Sequence, residues 1–164
     1  MATNILMSTA DPIDVSGSTG LKYSPRIQGA GLVNLVKATT VDAYLSSTAN
    51  SMGRAKAELG DSTEGTFSFE FSVTNFSDET KTYIFDSDVQ TETATDGFIA
   101  GTPYLLESKV QVSQESVTVA AGETVTLTAT ITLTDATRST STAASKTACT
   151  WRVTCTWRVL TTRT

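Results

Sequence analysis

With 164 residues, 39% of them hydrophobic and 18% charged, the chain is globular and large enough for one domain plus a small appendage. Its net charge of −5 and scattered basic residues leave no phosphate-binding footprint, which argues against nucleic acid as a partner. The chain has no histidine, so a Ser-His-Asp triad, a Cys-His dyad and the usual zinc sites are excluded together.

Residues 1–50 have helical character around a loop. Ala2–Thr9 is a short apolar stretch with the look of the last two turns of a helix. Asp11–Gly20 is dense in turn formers and reads as a polar loop. Beyond Gly29-Ala-Gly31, the residues Leu32, Leu35, Val36 and Thr39 fall at helical spacing. This segment is too small to bury a core of its own, so it is expected to need a partner to pack against. Without one, Leu32 and Leu35 are expected to be poorly covered.

Residues 51–135 read as an all-β domain. Phe67, Phe69, Phe71 and Val73 alternate with Ser68, Glu70, Ser72 and Thr74, the period of a strand with one buried face. Val125, Leu127, Ala129, Ile131 and Leu133 alternate with threonines in the same way. Tyr83, Phe85 and Val89, then Val110 and Val112, then Val117 and Val119 mark further short strands. Asn75-Phe-Ser-Asp78 and Ala120-Ala-Gly-Glu123 are expected to be hairpin-type turns. About seven short strands at this spacing predict a β-sandwich of immunoglobulin or fibronectin type III style.

Residues 136–164 change character, being rich in Thr, Ser and Ala and holding both Trp and both Cys. Cys149 and Cys155 lie six residues apart in an extended stretch, about 20 Å by chain length, too far for the ~7 Å reach of a disulfide. The near-repeat Cys149-Thr-Trp-Arg-Val153 and Cys155-Thr-Trp-Arg-Val159 also forms an alternating strand pattern.

The string Tyr23-Ser-Pro-Arg-Ile-Gln-Gly-Ala-Gly-Leu-Val-Asn34 resembles the end of the catalytic domain in subtilisin-like serine peptidases, and Leu6–Ala10 resembles the close of the preceding helix. The nearest likeness is to the Gram-positive cell-envelope type, the lactocepins and the streptococcal complement-cleaving peptidase. There the peptidase domain runs into a fibronectin type III-like domain, which Glu58-Leu-Gly60, Phe67–Asn75, Tyr83 and Val119–Thr124 resemble. The likeness covers about residues 2–135. It implies a mainly β chain: a fibronectin type III-like sandwich preceded by a short helical remnant of a subtilisin-like α/β domain.

In that family the nucleophile sits in a Gly-Thr-Ser-Met-Ala motif upstream of the Leu6–Ala10 position. That motif is absent here, so no catalytic residue is assigned, and none is assigned for a cofactor or a metal. The chain is read as a non-catalytic fragment. Its implied partners are an upstream peptidase domain and, through it, a protein or peptide substrate. The implied location is extracellular or cell-wall associated, although the chain by itself reads as cytosolic, with no leader and no membrane span.

The family's sandwich closes near a run like Asn-Gly-Met-Tyr-Val-Glu-Gly-Tyr-Val. Codons for Arg138–Thr164 can be chosen so that a one-base shift reads that run, with Lys146–Val153 at the expected strand, so the tail is read as a frame error replacing the last strand. The alternative is a real strand with Cys149, Trp151, Val153, Cys155, Trp157 and Val159 on one face. A freestanding adhesion or ligand-binding sandwich is the other functional reading.

Weaker signals carry no site. Asp86 and Asp88 offer too few oxygens for calcium. Asn75-Phe-Ser77 matches a glycosylation sequon but reads as a turn. Gly29-Ala-Gly31 lacks the strand and third glycine of a nucleotide loop. Tyr23 and Tyr104 are isolated aromatics, expected in core or rim rather than against a peptide or sugar.

Overall fold

The computed structural model describes residues 1–18, 20–49, 51–57, 64–95, 98–105, 108–134 and 154–161. For 91–95, 98–105, 108 and 154–161, and for Arg26, Asp86 and Asp88, it describes the backbone alone. Three short helices, α1 (Ala2–Thr9), α2 (Pro25–Gln28) and α3 (Leu35–Thr40), precede eight strands. The strands are β1 (Ala43–Ser47), β2 (Thr66–Asn75), β3 (Lys81–Thr95), β4 (Phe98–Leu105), β5 (Ser108–Val112), β6 (Ser116–Val119), β7 (Thr124–Leu133) and β8 (Thr154–Thr161). The protein is mainly β, in the sandwich class that its alternating patterns predict.

One antiparallel sheet has the order β1-β2-β7-β5. In the other, β4, β6 and β8 all pair antiparallel to the long central strand β3. Ile84 is paired with both Ser116 and Leu160, so β6 and β8 flank β3 on opposite edges. Between the sheets lies the core: Phe67, Phe69, Phe71, Val73, Leu127, Ala129, Ile131 and Leu133 from one side, Tyr83, Val89, Val117 and Val119 from the other. Phe71 and Phe85 meet edge to face with ring centroids 5.3 Å apart, a favoured aromatic geometry. The outer faces of β2 and β7 carry hydroxyl pairs across the strands, Ser72–Thr126 and Thr74–Thr124 both at 2.9 Å. These hydroxyls satisfy one another in a solvated sheet face.

The two turns expected as hairpins are corrected by the topology. Asn75–Thr80 leads from β2 in one sheet to β3 in the other, and Ala120–Glu123 leads from β6 back to β7. Both cross between sheets, because each flanking pair of strands finds its hydrogen-bond partners elsewhere. β1 also lies within the 1–50 segment that reads as a helical remnant, yet it adds a strand to the sandwich through Ala43↔Asn75 and Leu45↔Val73.

Tyr83 is fully buried, and its hydroxyl has no hydrogen-bond partner among the described residues. Burial raises its pKa above the ordinary tyrosine value, and the nearby Asp42 charge adds to the shift. The folded state thus holds this proton more tightly than the unfolded chain. Its contribution is constant below about pH 10 and is lost as pH rises above that value. Tyr83→Phe is expected to raise stability by about 1 kcal/mol at neutral pH by removing an unsatisfied buried group. In urea titrations its advantage over the unsubstituted chain should widen above about pH 10. A variant less stable than its parent at neutral pH would show that the hydroxyl is satisfied.

Candidate functional site

The N-terminal segment is built by backbone bridges rather than by a core. Asp11 and Leu32 exchange N–H···O bonds of 2.8 and 2.9 Å, and Asp14 bridges Lys22. Gly31 makes the first bridge sterically possible: a Cβ there would lie 2.3 Å from the Asp11 carbonyl oxygen, and its φ is +113°. Glycine alone fits so close a backbone approach at a positive φ. Asn34 caps α3 by accepting the Lys37 N–H at 2.9 Å, while its Nδ2 donates to Asp11 Oδ2 at 2.7 Å. Lys37 completes the cluster as an ion pair with Asp11.

This framework leaves apolar side chains outside. Ile27, Leu32, Val33, Leu35 and Val36 are 55–74% exposed, and α3 buries none of its residues. A helix whose two most apolar side chains face water is unusual in a finished surface. The expectation that Leu32 and Leu35 are poorly covered agrees with this exposure. Part of the segment does pack: α1 lies against β1, and Gln90, buried in β3, donates to the Lys22 carbonyl at 3.0 Å.

A second junction lies at the other end of β2. Asn75 is fully buried, and its Nδ2 donates to the carbonyls of Glu79, Val119 and Ala120 at 2.8, 3.0 and 3.2 Å. Its Oδ1 accepts from the Ser77 N–H at 3.1 Å and the Ser77 hydroxyl at 2.8 Å. One side chain thus ties both sheet crossings together. The amide nitrogen that a sequon would glycosylate is inaccessible, and Asn75-Phe-Ser77 is a structural turn.

The other sequence candidates gather into no site. Tyr23 is half-buried, with its backbone bonded to Ile13 and Gln28. The side chains of Asp86, Asp88, Tyr104 and Cys155 lie outside the described residues, as do Cys149 and the Glu58–Gly60 segment. Among the described residues no group of three or more Asp, Glu or Cys is placed to hold a metal ion. Nor is any described helix long and apolar enough to cross a membrane. Sequence reasoning missed the buried amides Asn4, Asn75 and Gln90, whose burial no local pattern announces.

The backbone of β8 pairs with β3 from Tyr83↔Thr161 to Gln90↔Thr154, while Cys149–Val153 of the tail pattern lie outside the described residues. No curated protein matches the chain. A family model described as an Fn3-like domain matches residues 57–147, more than half of the sequence. That span takes in β2 through β7 and hence most of both sheets. The chain therefore belongs to the Fn3-like domain family.

Proposed function

We propose that the chain is the non-catalytic part of a secreted or wall-associated subtilisin-like serine endopeptidase. Its Fn3-like sandwich acts as a structural spacer beside the peptidase domain and shapes substrate access. The observation that carries this reading is the apolar face of Ile27, Leu32, Leu35 and Val36, borne on the segment that resembles the end of a peptidase domain. Each such side chain contributes about 1.5–3 kcal/mol when fully covered. A freestanding sandwich has no use for them. An Fn3-like domain of this kind is found in subtilisin-like peptidases, which supports the same reading.

In this reading the upstream domain supplies a serine nucleophile and performs acyl transfer from a protein or peptide substrate to water. The present chain contributes none of the reacting groups and needs no cofactor. Its face around α3 is the contact surface for that domain.

Sequencing the coding DNA from well upstream of Met1 through the codons for residues 138–164 tests the proposal. A Gly-Thr-Ser-Met-Ala motif in an open upstream frame is expected, with a Met-Tyr-Val-Glu-Gly run in the shifted frame of the tail. An upstream region with no peptidase coding would overturn the proposal in favour of an independent adhesion or ligand-binding module.

A further inference from the structure

The segment before the sandwich is tied to it at separated places. At its start, α1 lies against both β1 and α3. The Leu45 N–H donates to the Ser8 hydroxyl at 2.9 Å, while Asn4 donates to the Gly53 carbonyl at 2.9 Å and accepts the Ala55 N–H at 3.2 Å. At its end, the Asp42 carbonyl accepts the Phe76 N–H at 2.9 Å, and the Asp42 carboxylate is ion-paired with Lys81, the first residue of β3. In its middle, the Lys22 carbonyl accepts a hydrogen bond of 3.0 Å from Gln90 Nε2, further along the same strand. The Gln90 side chain serves this tie rather than the sheet. It is buried, and its Oε1 has no hydrogen-bond partner among the described residues.

Between these ties the segment is one piece. Asp14 bridges Lys22, Asp11 bridges Leu32, and Asp11 also holds Asn34 and Lys37. A body joined to a domain at one point swings about it, and such motion is the default between domains. Lys81 and Gln90 are nine residues apart on one strand, which separates their ties by about 30 Å. With α1 fastened to β1 in the other sheet, the ties share no axis about which the segment can turn.

We infer that residues 1–42 form a platform fixed in orientation to the sandwich, so that a domain covering the apolar face around α3 is held at one angle to both sheets. The fixed platform is a property of this chain. Its consequence for a peptidase domain rests on the function proposed above: the sandwich is then a fixed wall beside that domain, not an arm on a flexible joint.

Residual dipolar couplings and nitrogen relaxation on the full chain test the inference. One alignment tensor is expected to fit the amides of residues 25–40 together with those of β2 and β7, with order parameters of about 0.85 in both. The double variant Gln90→Leu, Lys81→Met removes both ties to β3 while keeping apolar volume at each position. The remaining ties gather at β1, about which the platform can turn. Order parameters over residues 25–40 are expected to fall below about 0.6, with β2 and β7 unchanged. Two separate tensors in the unsubstituted chain would overturn the inference. So would a platform that stays ordered in the double variant, since other contacts must then fix it. Loss of order in β2 and β7 would reject it as well, by making the two side chains part of the sandwich. The coding DNA upstream of Met1 decides the parent protein separately, so the two readings fail independently.

Discussion

Asn75→Ala is expected to lower the stability of the sandwich by about 3–5 kcal/mol, among the largest single-residue effects in the chain. The side chain is fully buried and donates to three backbone carbonyls. Ala120 O also accepts the Glu123 N–H at 3.1 Å and Glu79 O also accepts the Ser77 hydroxyl at 3.0 Å, so of the three carbonyls that of Val119 bears the main loss. Deleting the amide leaves these groups short of donors and opens a cavity where β2→β3 and β6→β7 cross.

Asn75→Asp discriminates hydrogen bonding from volume. The new carboxylate would point an acceptor at carbonyl oxygens, so its protonated form is favoured in the fold and its pKa is raised. Stability of that variant should be highest below about pH 4 and should fall as pH rises through the raised value. Urea midpoints across pH measure both effects. A cost below about 1 kcal/mol for Asn75→Ala would show that the crossings support themselves.

Gly31→Ala is expected to unmake the N-terminal framework while leaving the sandwich intact. The added Cβ would meet Asp11 O at 2.3 Å, Asp11 C at 2.6 Å and Pro12 N at 2.8 Å, all of them backbone atoms that cannot rotate aside. The positive φ of +113° adds strain for any L side chain. Relief requires separating Asp11 from Leu32, which breaks their paired bonds and disturbs the contacts of Asp11 with Asn34 and Lys37. A local cost of about 3 kcal/mol or more follows from these terms together.

Gly29→Ala is the matched control. Its φ of +65° is also left-handed, but nothing lies within 4 Å of the added Cβ, so only about 1 kcal/mol is expected. Hydrogen exchange resolves the two variants: the amides of Asp11 and Leu32 should lose protection in Gly31→Ala, with β2 and β7 unchanged. A global loss of protection would instead make the segment and the sandwich one cooperative unit.

Elements with strong local periodicity were legible before any folding was considered. The alternation of Phe67, Phe69, Phe71 and Val73, and of Leu127, Ala129, Ile131 and Leu133, named both the strands β2 and β7 and their buried faces. A short apolar stretch located α1, and helical spacing located α3 to within a turn. The missing histidines removed triad chemistry without any structure. The exposed face around α3 was legible as apolar residues in a segment too short to bury them.

Which strands share a sheet emerges only from long-range pairing. Asn75-Phe-Ser-Asp78 and Ala120-Ala-Gly-Glu123 have turn composition, but composition does not distinguish a hairpin from a crossing, because that depends on hydrogen-bond partners far away in sequence. The strand identity of Ala43–Ser47 was hidden for the same reason: five residues acquire it by pairing with β2. Asn4, Asn75 and Gln90 are polar by type and buried by position. Asn4 and Asn75 are held by carbonyls and amides from distant segments, and Gln90, among the described residues, by the Lys22 carbonyl alone, a convergence that is a property of the folded chain.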